Sequence, residues 1–520
     1  MKQEAKQVSS GNNLNRAKTY QLVLFPMNNG ATNVYYILTL NFIAYYANGV
    51  LGLLLAFATT MVTVMRILDA FIDPVIGAIM DRTSTRWGKF RPFMVIGNGI
   101  MIVASLLMFF GTRLVSEDMM WLRYVAFVLC YLLFIIGYTF QTSVTRSAQT
   151  CLTNDPKQRP LFTIFNTIAS LIGMGLVQFL SPFITGGNYG TTQFFDVMIP
   201  LAMIISAIMT VLAIIGIAEK DRPEFFGLGG GSATEKVKIK EYAAILKENK
   251  ELQRLMIAGA GCKLAFAIAT NMAVLAMLYG AMMGSYEGLY LPMMIIGYIF
   301  SVPFFLLTVK TSQKKGQKAS LVFYTWVALI MYIGVLGLLI FWRQGESALN
   351  LSLTNINVYT IFFVLFFGIG YGAYYATADM SIPMVADCSD YETFRSGKYV
   401  PGIMGTLFSL VDKLVSSLGS TIVGIAITVI GLTRIPDGTT AYVDGMHSVV
   451  IVLFCVIPML AWIATIIAMK GYKLTGERMK EIQAINAVRK DAISKGMSLE
   501  EAMKTWQTIE QVPSEFRTYE

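Results

Sequence analysis

Apolar runs of about twenty residues, each long enough to cross a bilayer as a helix, recur from one end of the chain to the other. In lipid, a spanning segment must satisfy its own backbone hydrogen bonds, so runs of this length fold as helices. Twelve spans are read, over about 20–47, 50–79, 92–112, 120–150, 160–184, 195–218, 255–283, 288–309, 319–342, 356–386, 400–431 and 447–469. A membrane β-barrel would instead show short alternating strands. Only 14% of the residues are charged and 55% are hydrophobic, whereas soluble domains carry about a quarter charged residues. The expected class is an all-α, multi-pass membrane protein.

Two sets of six spans flank a charged central loop, the layout of two six-helix bundles. The chain then divides into an N-terminal cytoplasmic segment (1–19), a first bundle (20–218), a cytoplasmic central loop (219–254), a second bundle (255–470) and a cytoplasmic tail (471–520). Loops on one side carry Arg82, Arg86, Lys89 and Arg91, then Lys157 and Arg159, then Lys236, Lys238 and Lys240, then Lys310, Lys314, Lys315 and Lys318. On the other side, the Asn48-Gly49 turn and the loop from Thr185 to Thr192 carry none. Basic loops remain in the cytoplasm, so both termini are expected there, in a cell membrane. The net charge of +9 sits largely in these loops and implies no nucleic-acid partner.

The first residues lack an apolar h-region, so the first span is expected to act as the membrane signal without a cleaved leader. G-L-G-G-G-S in the central loop lacks the strand–turn–helix setting of a dinucleotide site. It reads as a linker, with a short amphipathic helix over K-V-K-I-K-E-Y. Thr475 and Ser498 have the form of helix caps, in a tail expected to pack on the cytoplasmic face. The five cysteines are scattered and His447 is the sole histidine, so no metal centre, catalytic constellation or organic cofactor is expected.

The second span reads R-I-L-D-A-F-I-D-P and carries Asp69 and Asp73 one helical turn apart, on one face. Charge inside a bilayer is costly and normally faces protein or a water-filled cavity. Two readings are open. The pair of carboxylates takes a cation, as hard cations take oxygen ligands and close carboxyls share protons; or Asp69 forms a structural ion pair with Arg66, one turn earlier. The two readings are compatible if Arg66 tunes the acids. Pro74 follows and removes one helical hydrogen bond. The next loop, D-R-T-S-T-R-W-G-K, is a basic hinge, echoed in the second half by K-T-S-Q-K-K-G-Q-K.

R-I-L-D-A-F-I-D-P followed by D-R-T-S-T-R-W-G-K-F-R-P resembles the second helix and loop of the glycoside–pentoside–hexuronide:cation symporters, a branch of the major facilitator superfamily. G-Y-T-F-Q at Gly137–Gln141, N-D-P-K-Q-R at Asn154–Arg159, V-A-D-C-S-D-Y-E-T at Val385–Thr393 and Lys413 within F-S-L-V-D-K extend the resemblance over both halves. It implies the major facilitator fold and alternating access, with one half rocking against the other. It also implies that Asp69 and Asp73 are the cation-site acids, with Thr139 as a further oxygen ligand. Lys413 would lie near the acids and help couple the sites, and Tyr138 would line the cavity.

Some positions depart from the family pattern. Ile72 stands where the motif often has Asn, which removes an oxygen ligand and shifts the preference toward H⁺ over Na⁺. Asn33 and Thr142 stand where melibiose-type carriers place their sugar-binding acids, and Asn166 and Thr167 stand near the position of a sugar-contacting arginine. Arg146 lies one turn past Thr142 and, with Lys413, would suit an anionic cargo such as a hexuronide; an ion pair with Asp69, Asp73 or Asp379, or snorkelling, is the alternative. Lys263 reads as snorkelling. Asn28, Asn29 and Asn33 are amides that sugar hydroxyls could satisfy, and one or two of Tyr35, Tyr36, Tyr45, Tyr46, Tyr371, Tyr374 and Tyr375 could stack on a sugar.

The expectation is a monomeric twelve-helix symporter of a sugar, glycoside or hexuronide, with lipid as its other partner and H⁺ or Na⁺ as the coupling ion. Asp69, Asp73 and Thr139 would hold the cation, the two acids being metal ligands only if that ion is Na⁺. Asn33, Tyr138, Thr142, Arg146 and Lys413 would serve the substrate. Arg66, Asp81, Arg82, Arg86 and Lys89 would have gating or structural roles. The rivals are a lysolipid or amphiphile carrier of the same superfamily, a non-transporting receptor-like scaffold and a membrane-embedded enzyme.

Overall fold

The structure, a computed structural model, describes residues 16–152, 158–222 and 246–516, apart from Ser84, Asp379 and 398–400. The expected linker and amphipathic helix of the central loop lie outside the described residues, as does Asp379. In chain order the long helices are α1 (Met27–Ile37), α2 (Leu55–Arg82), α3 (Arg91–Phe109), α4 (Met120–Ser147), α5 (Gln158–Thr185) and α6 (Thr192–Ile217). They continue with α7 (Lys250–Ala269), α8 (Tyr286–Lys315), α9 (Gln317–Phe341), α10 (Val358–Thr377), α11 (Ser381–Ser396), α12 (Pro401–Val429), α13 (Ile457–Gly471), α14 (Gly476–Ser494) and α15 (Leu499–Thr505). Eleven helices among the described residues are long and apolar enough to cross a membrane.

The first expected span is not a continuous helix. Thr19–Leu24 and α1 are separated at Pro26, which has no N–H to donate, and π-helical turns follow over Leu38–Phe42 and Tyr46–Val50. The seventh is broken after Ala269, where the Asn271 side chain accepts from Ala273 N at 3.0 Å and opens a new turn. The tenth, expected to run to 386, ends at Thr377, and α11 starts separately at Ser381 with Pro383 in its first turn. In contrast, α2 runs unbroken through Pro74.

Chain contacts define two units. The first comprises Met1–Thr39, Phe71–Ser181 and Phe195–Glu235. Its core gathers Leu22, Phe25, Met94, Phe162, Ala213 and Ile217, with Phe25 and Phe162 stacked at 5.9 Å. Buried polar groups tie its helices: Asn98 Nδ2 donates to Ser206 Oγ at 2.8 Å. In lipid the apolar surface itself gives little driving force, and such bonds contribute about 0.6 kcal/mol each on average.

The second unit comprises Leu40–Ala70, Pro182–Phe194 and Lys236–Glu520. Here α7 packs on α13 and α12, and Tyr332 meets Trp462 edge-on at 4.9 Å. The tail belongs to this unit. Thr475 and Ser498 cap α14 and α15 by accepting from Arg478 N and Glu501 N. α14 docks on α11: Asn486 Nδ2 donates to Asp390 O at 3.0 Å and Arg489 Nη1 to Phe394 O at 2.8 Å.

Candidate functional site

α2 has two contrasting faces. Val64, Leu68, Phe71 and Val75, spaced by three and four, are exposed, as lipid-facing residues would be. Thr59, Thr63, Arg66 and Asp69 repeat at the same spacing on a buried face. Within the second unit, Asp69 is fully buried and its Oδ2 receives Lys413 Nζ from α12 at 2.9 Å and Arg66 Nη1 from its own helix at 3.4 Å. The Arg66 pair foreseen from spacing is therefore present, and Lys413 joins it on the same oxygen. Two cations on one carboxylate leave an excess positive charge; Asp73 stands one turn along α2, in the first unit. A carboxylate held this way is a place where an entering cation competes with resident ammonium and guanidinium groups.

The expected substrate residues of the first unit lie on α1 and α4. Asn33 is half-buried, and its amide donates to Asn29 O at 2.8 Å and Asn29 Oδ1 at 3.0 Å. Asn29 in turn donates to Asn166 O at 3.2 Å. Thr142, also half-buried, donates to Tyr138 O at 3.0 Å, and Tyr138 stacks on Phe134. Thr139 is fully buried and its hydroxyl donates to Ile135 O at 2.9 Å. The backbone of Arg146 lies in α4 and its side chain is outside the described residues.

Asn28 differs from its neighbours. It is fully buried, its Nδ2 donates to Gln141 O at 2.9 Å and Thr145 Oγ1 at 2.7 Å, and its Oδ1 accepts from Gln141 Nε2 at 3.0 Å. Its hydrogen bonds tie α1 to α4, so it is not a substrate amide. Lys263, read as snorkelling, instead lies 4.0 Å from Asp412 of α12.

The loop after α2 is held from a distance. Asp221 is fully buried; its Oδ1 accepts from Lys89 N at 2.8 Å and Phe90 N at 3.1 Å, and its Oδ2 from Arg91 N at 2.9 Å and Arg91 Nε at 3.3 Å. It thereby satisfies orphan donors at the start of α3 and sits at the positive end of the helix dipole. Gly88 is required for this approach: its φ is +106° and a Cβ there would lie 2.2 Å from Asp221 Oδ2. Arg86 is exposed, and the side chains of Asp81 and Arg82 are outside the described residues. Spacing gave no signal for Asp221, Asp412 or the buried Glu392 of α11, whose Oε2 accepts from Asn249 at 2.9 Å. No group of three or more metal-ligating side chains occurs among the described residues.

The model of the MFS/sugar transport protein family matches residues 25–476. A lactose permease of Leuconostoc lactis is 28% identical over 273 residues, covering 49% of this chain and 42% of that permease, so the chain spans under half of that relative's length. A putative glycoside/cation symporter, YagG, of Escherichia coli K12 is 22% identical over 455 residues, covering 85% of this chain and 89% of the relative. Among solved structures, a bacterial homologue of the iron transporter ferroportin in an outward-facing state aligns with a TM-score of 0.58 at 13% identity, covering 87% of this chain and 98% of that one. At that identity the likeness shows the fold alone.

Proposed function

Because the chain belongs to the MFS/sugar transport protein family and, within it, to the glycoside–pentoside–hexuronide:cation symporters, we propose that it carries a sugar, glycoside or hexuronide across the cell membrane together with H⁺ or Na⁺, by alternating access. The observation that carries this reading is the fully buried Asp69, held by Lys413 at 2.9 Å and Arg66 at 3.4 Å. A buried acid between two cations in an apolar helix is costly to maintain, and its retention points to charge exchange during a cycle. An entering H⁺ or Na⁺ on the acids of α2 displaces Lys413, and loading is thereby transmitted to α12.

Ile72 between the two acids supports H⁺, since Na⁺ would need more oxygen ligands than two carboxylates supply. Asn33, Tyr138 and Thr142, with Arg146, carry the substrate reading, and Arg146 suits a carboxylate-bearing cargo. The protein acts as a monomer with both termini in the cytoplasm, the side that the basic loops favour. The relatives carry names of sugar carriers and symporters, which favours this reading over an amphiphile carrier, a scaffold or an enzyme.

The test is uptake of labelled glycosides and uronides into liposomes under imposed H⁺ or Na⁺ gradients. Asp73→Asn is expected to abolish gradient-driven uptake. Uptake unchanged in that variant would remove the cation role from the α2 acids.

A further inference from the structure

A second feature lies in the first unit, at the turn between α2 and α3. A cleft of about 410 Å³ opens there, lined by Thr85, Arg86, Gly88, Arg91, Glu219 and Arg222, with Asp221 in its wall. Both acids are already engaged. Asp221 is spent on the start of α3 and on Arg91. Glu219 accepts from Lys18 Nζ at 2.9 Å and Gln21 Nε2 at 3.0 Å. Arg86 and Arg222 are exposed and make no hydrogen bond or ion pair among the described residues. The lining holds three cations (Arg86, Arg91 and Arg222) against two carboxylates, and Lys18, paired with Glu219 from outside it, brings the local charge to +2.

The cleft lies where chain enters the membrane. The spans on either side are Leu55–Asp73 and Arg91–Leu114. Trp87, 67% exposed, projects from the same tight turn, in which Thr85 and Gly88 exchange backbone hydrogen bonds. An exposed indole at the end of a membrane helix is an anchor for the headgroup level. Guanidinium groups bind phosphate oxygens through paired N–H donors. We propose that this cleft binds the phosphodiester headgroup of an anionic phospholipid, with Arg86 and Arg222 on the phosphate and Trp87 against the glycerol–acyl boundary. A lipid is favoured over free phosphate because the indole adds nothing to an inorganic ion, whereas it suits a headgroup continuous with acyl chains. The inference depends on α2 and α3 being bilayer spans and is independent of which cargo is carried.

Quenching of Trp87 fluorescence by brominated lipid tests the proposal. The full chain is reconstituted in phosphatidylcholine vesicles containing an equal mole fraction of brominated phosphatidylglycerol or brominated phosphatidylcholine. The Trp87 contribution is taken as the difference from Trp87→Phe. Phosphatidylglycerol is expected to quench that contribution more strongly. Arg86→Gln with Arg222→Gln should lower the preference roughly tenfold, since each basic residue near an anionic surface favours binding severalfold. Both arginines are exposed and make no hydrogen bond among the described residues, so an unchanged thermal midpoint in the double variant is expected and confirms that the fold is intact. Equal quenching by the two lipids, or a preference that survives in the folded double variant, would overturn the proposal. Removal of the preference by millimolar inorganic phosphate would also overturn it and assign the cleft to the free ion.

Discussion

Asp69 and Lys413 should behave as one unit. Asp69 is fully buried, and its Oδ2 is 2.9 Å from Lys413 Nζ and 3.4 Å from Arg66 Nη1. Asp69→Asn keeps the shape but leaves two buried cations facing an amide. Breaking a buried pair from one side costs about 3–5 kcal/mol, chiefly the desolvation of the charge left behind. Lys413→Gln should cost less, about 2 kcal/mol, because Asp69 retains Arg66. The double variant removes both charges of the pair and should lose clearly less than the sum. A double-mutant cycle, read from reversible detergent unfolding, is therefore expected to give a coupling of about 2 kcal/mol or more. Both single variants should also lose gradient-driven uptake. Additivity within about 0.5 kcal/mol would refute the claim that the two groups share one electrostatic site.

Two further outcomes follow from the groups outside the spans. Gly88→Ala should destabilise the protein by about 2–4 kcal/mol in the same unfolding assay, since a Cβ would meet the Asp221 carboxylate at 2.2 Å with φ at +106°; a loss under about 0.5 kcal/mol would show that the turn relaxes freely. Asp387 of α11 has its pKa pushed up to about 6, first by burial and then by the nearby charge of Asp390. Its folded value lies above its unfolded one, so its contribution is most favourable below about pH 4 and is lost as the pH rises through about 6. Solvent screening of this partly buried group limits the loss to about 1–2 kcal/mol. Asp387→Asn should therefore stabilise the protein by that amount at pH 8 and leave it nearly unchanged at pH 4, and an equal effect at both values would sink the assignment.

What could be read from the sequence was what local spacing determines. Asp69, Asp73 and Arg66 share a face because a helix repeats every 3.6 residues, and the caps at Thr475 and Ser498 follow from their own hydroxyl side chains, with Glu501 three positions after Ser498. What could not be read were partners distant in the chain. Nothing near Lys89 announces Asp221, and nothing near Asp412 announces Lys263, 4.0 Å from it. Asn28 shows the limit most clearly. A polar amide in an apolar span is equally expected to face cargo or to cross-link helices, and only its contacts with Gln141 and Thr145 decide for the second. The break in the first span had one visible cause, Pro26, while the π-helical turns after it leave no compositional trace.

The neighbours of Asp69 along α2 explain why Lys413 arrives at it. Thr59 packs so closely under Gly424 that a Cβ there would lie 2.3 Å from its hydroxyl oxygen. Thr63 Oγ1 donates to Ser417 O at 2.9 Å and lies 2.8 Å from Thr421 Oγ1. Moving toward Asp69 on α2, the partners on α12 step back from 424 through 421 and 417 to 413, so the helices run antiparallel along one polar seam. The small residues set the distance and the hydroxyls set the register, and together they deliver the ammonium to the carboxylate. Lys413 is thus placed by its helix, and its charge is balanced by Asp69 while it remains there. The two roles that the sequence suggested for it, partner of the acids and contact for an anionic substrate, therefore compete for one positive charge. A cation that neutralises Asp69 is what would let Lys413 pass from the first role to the second, so loading of the acids would precede any contact between Lys413 and the cargo.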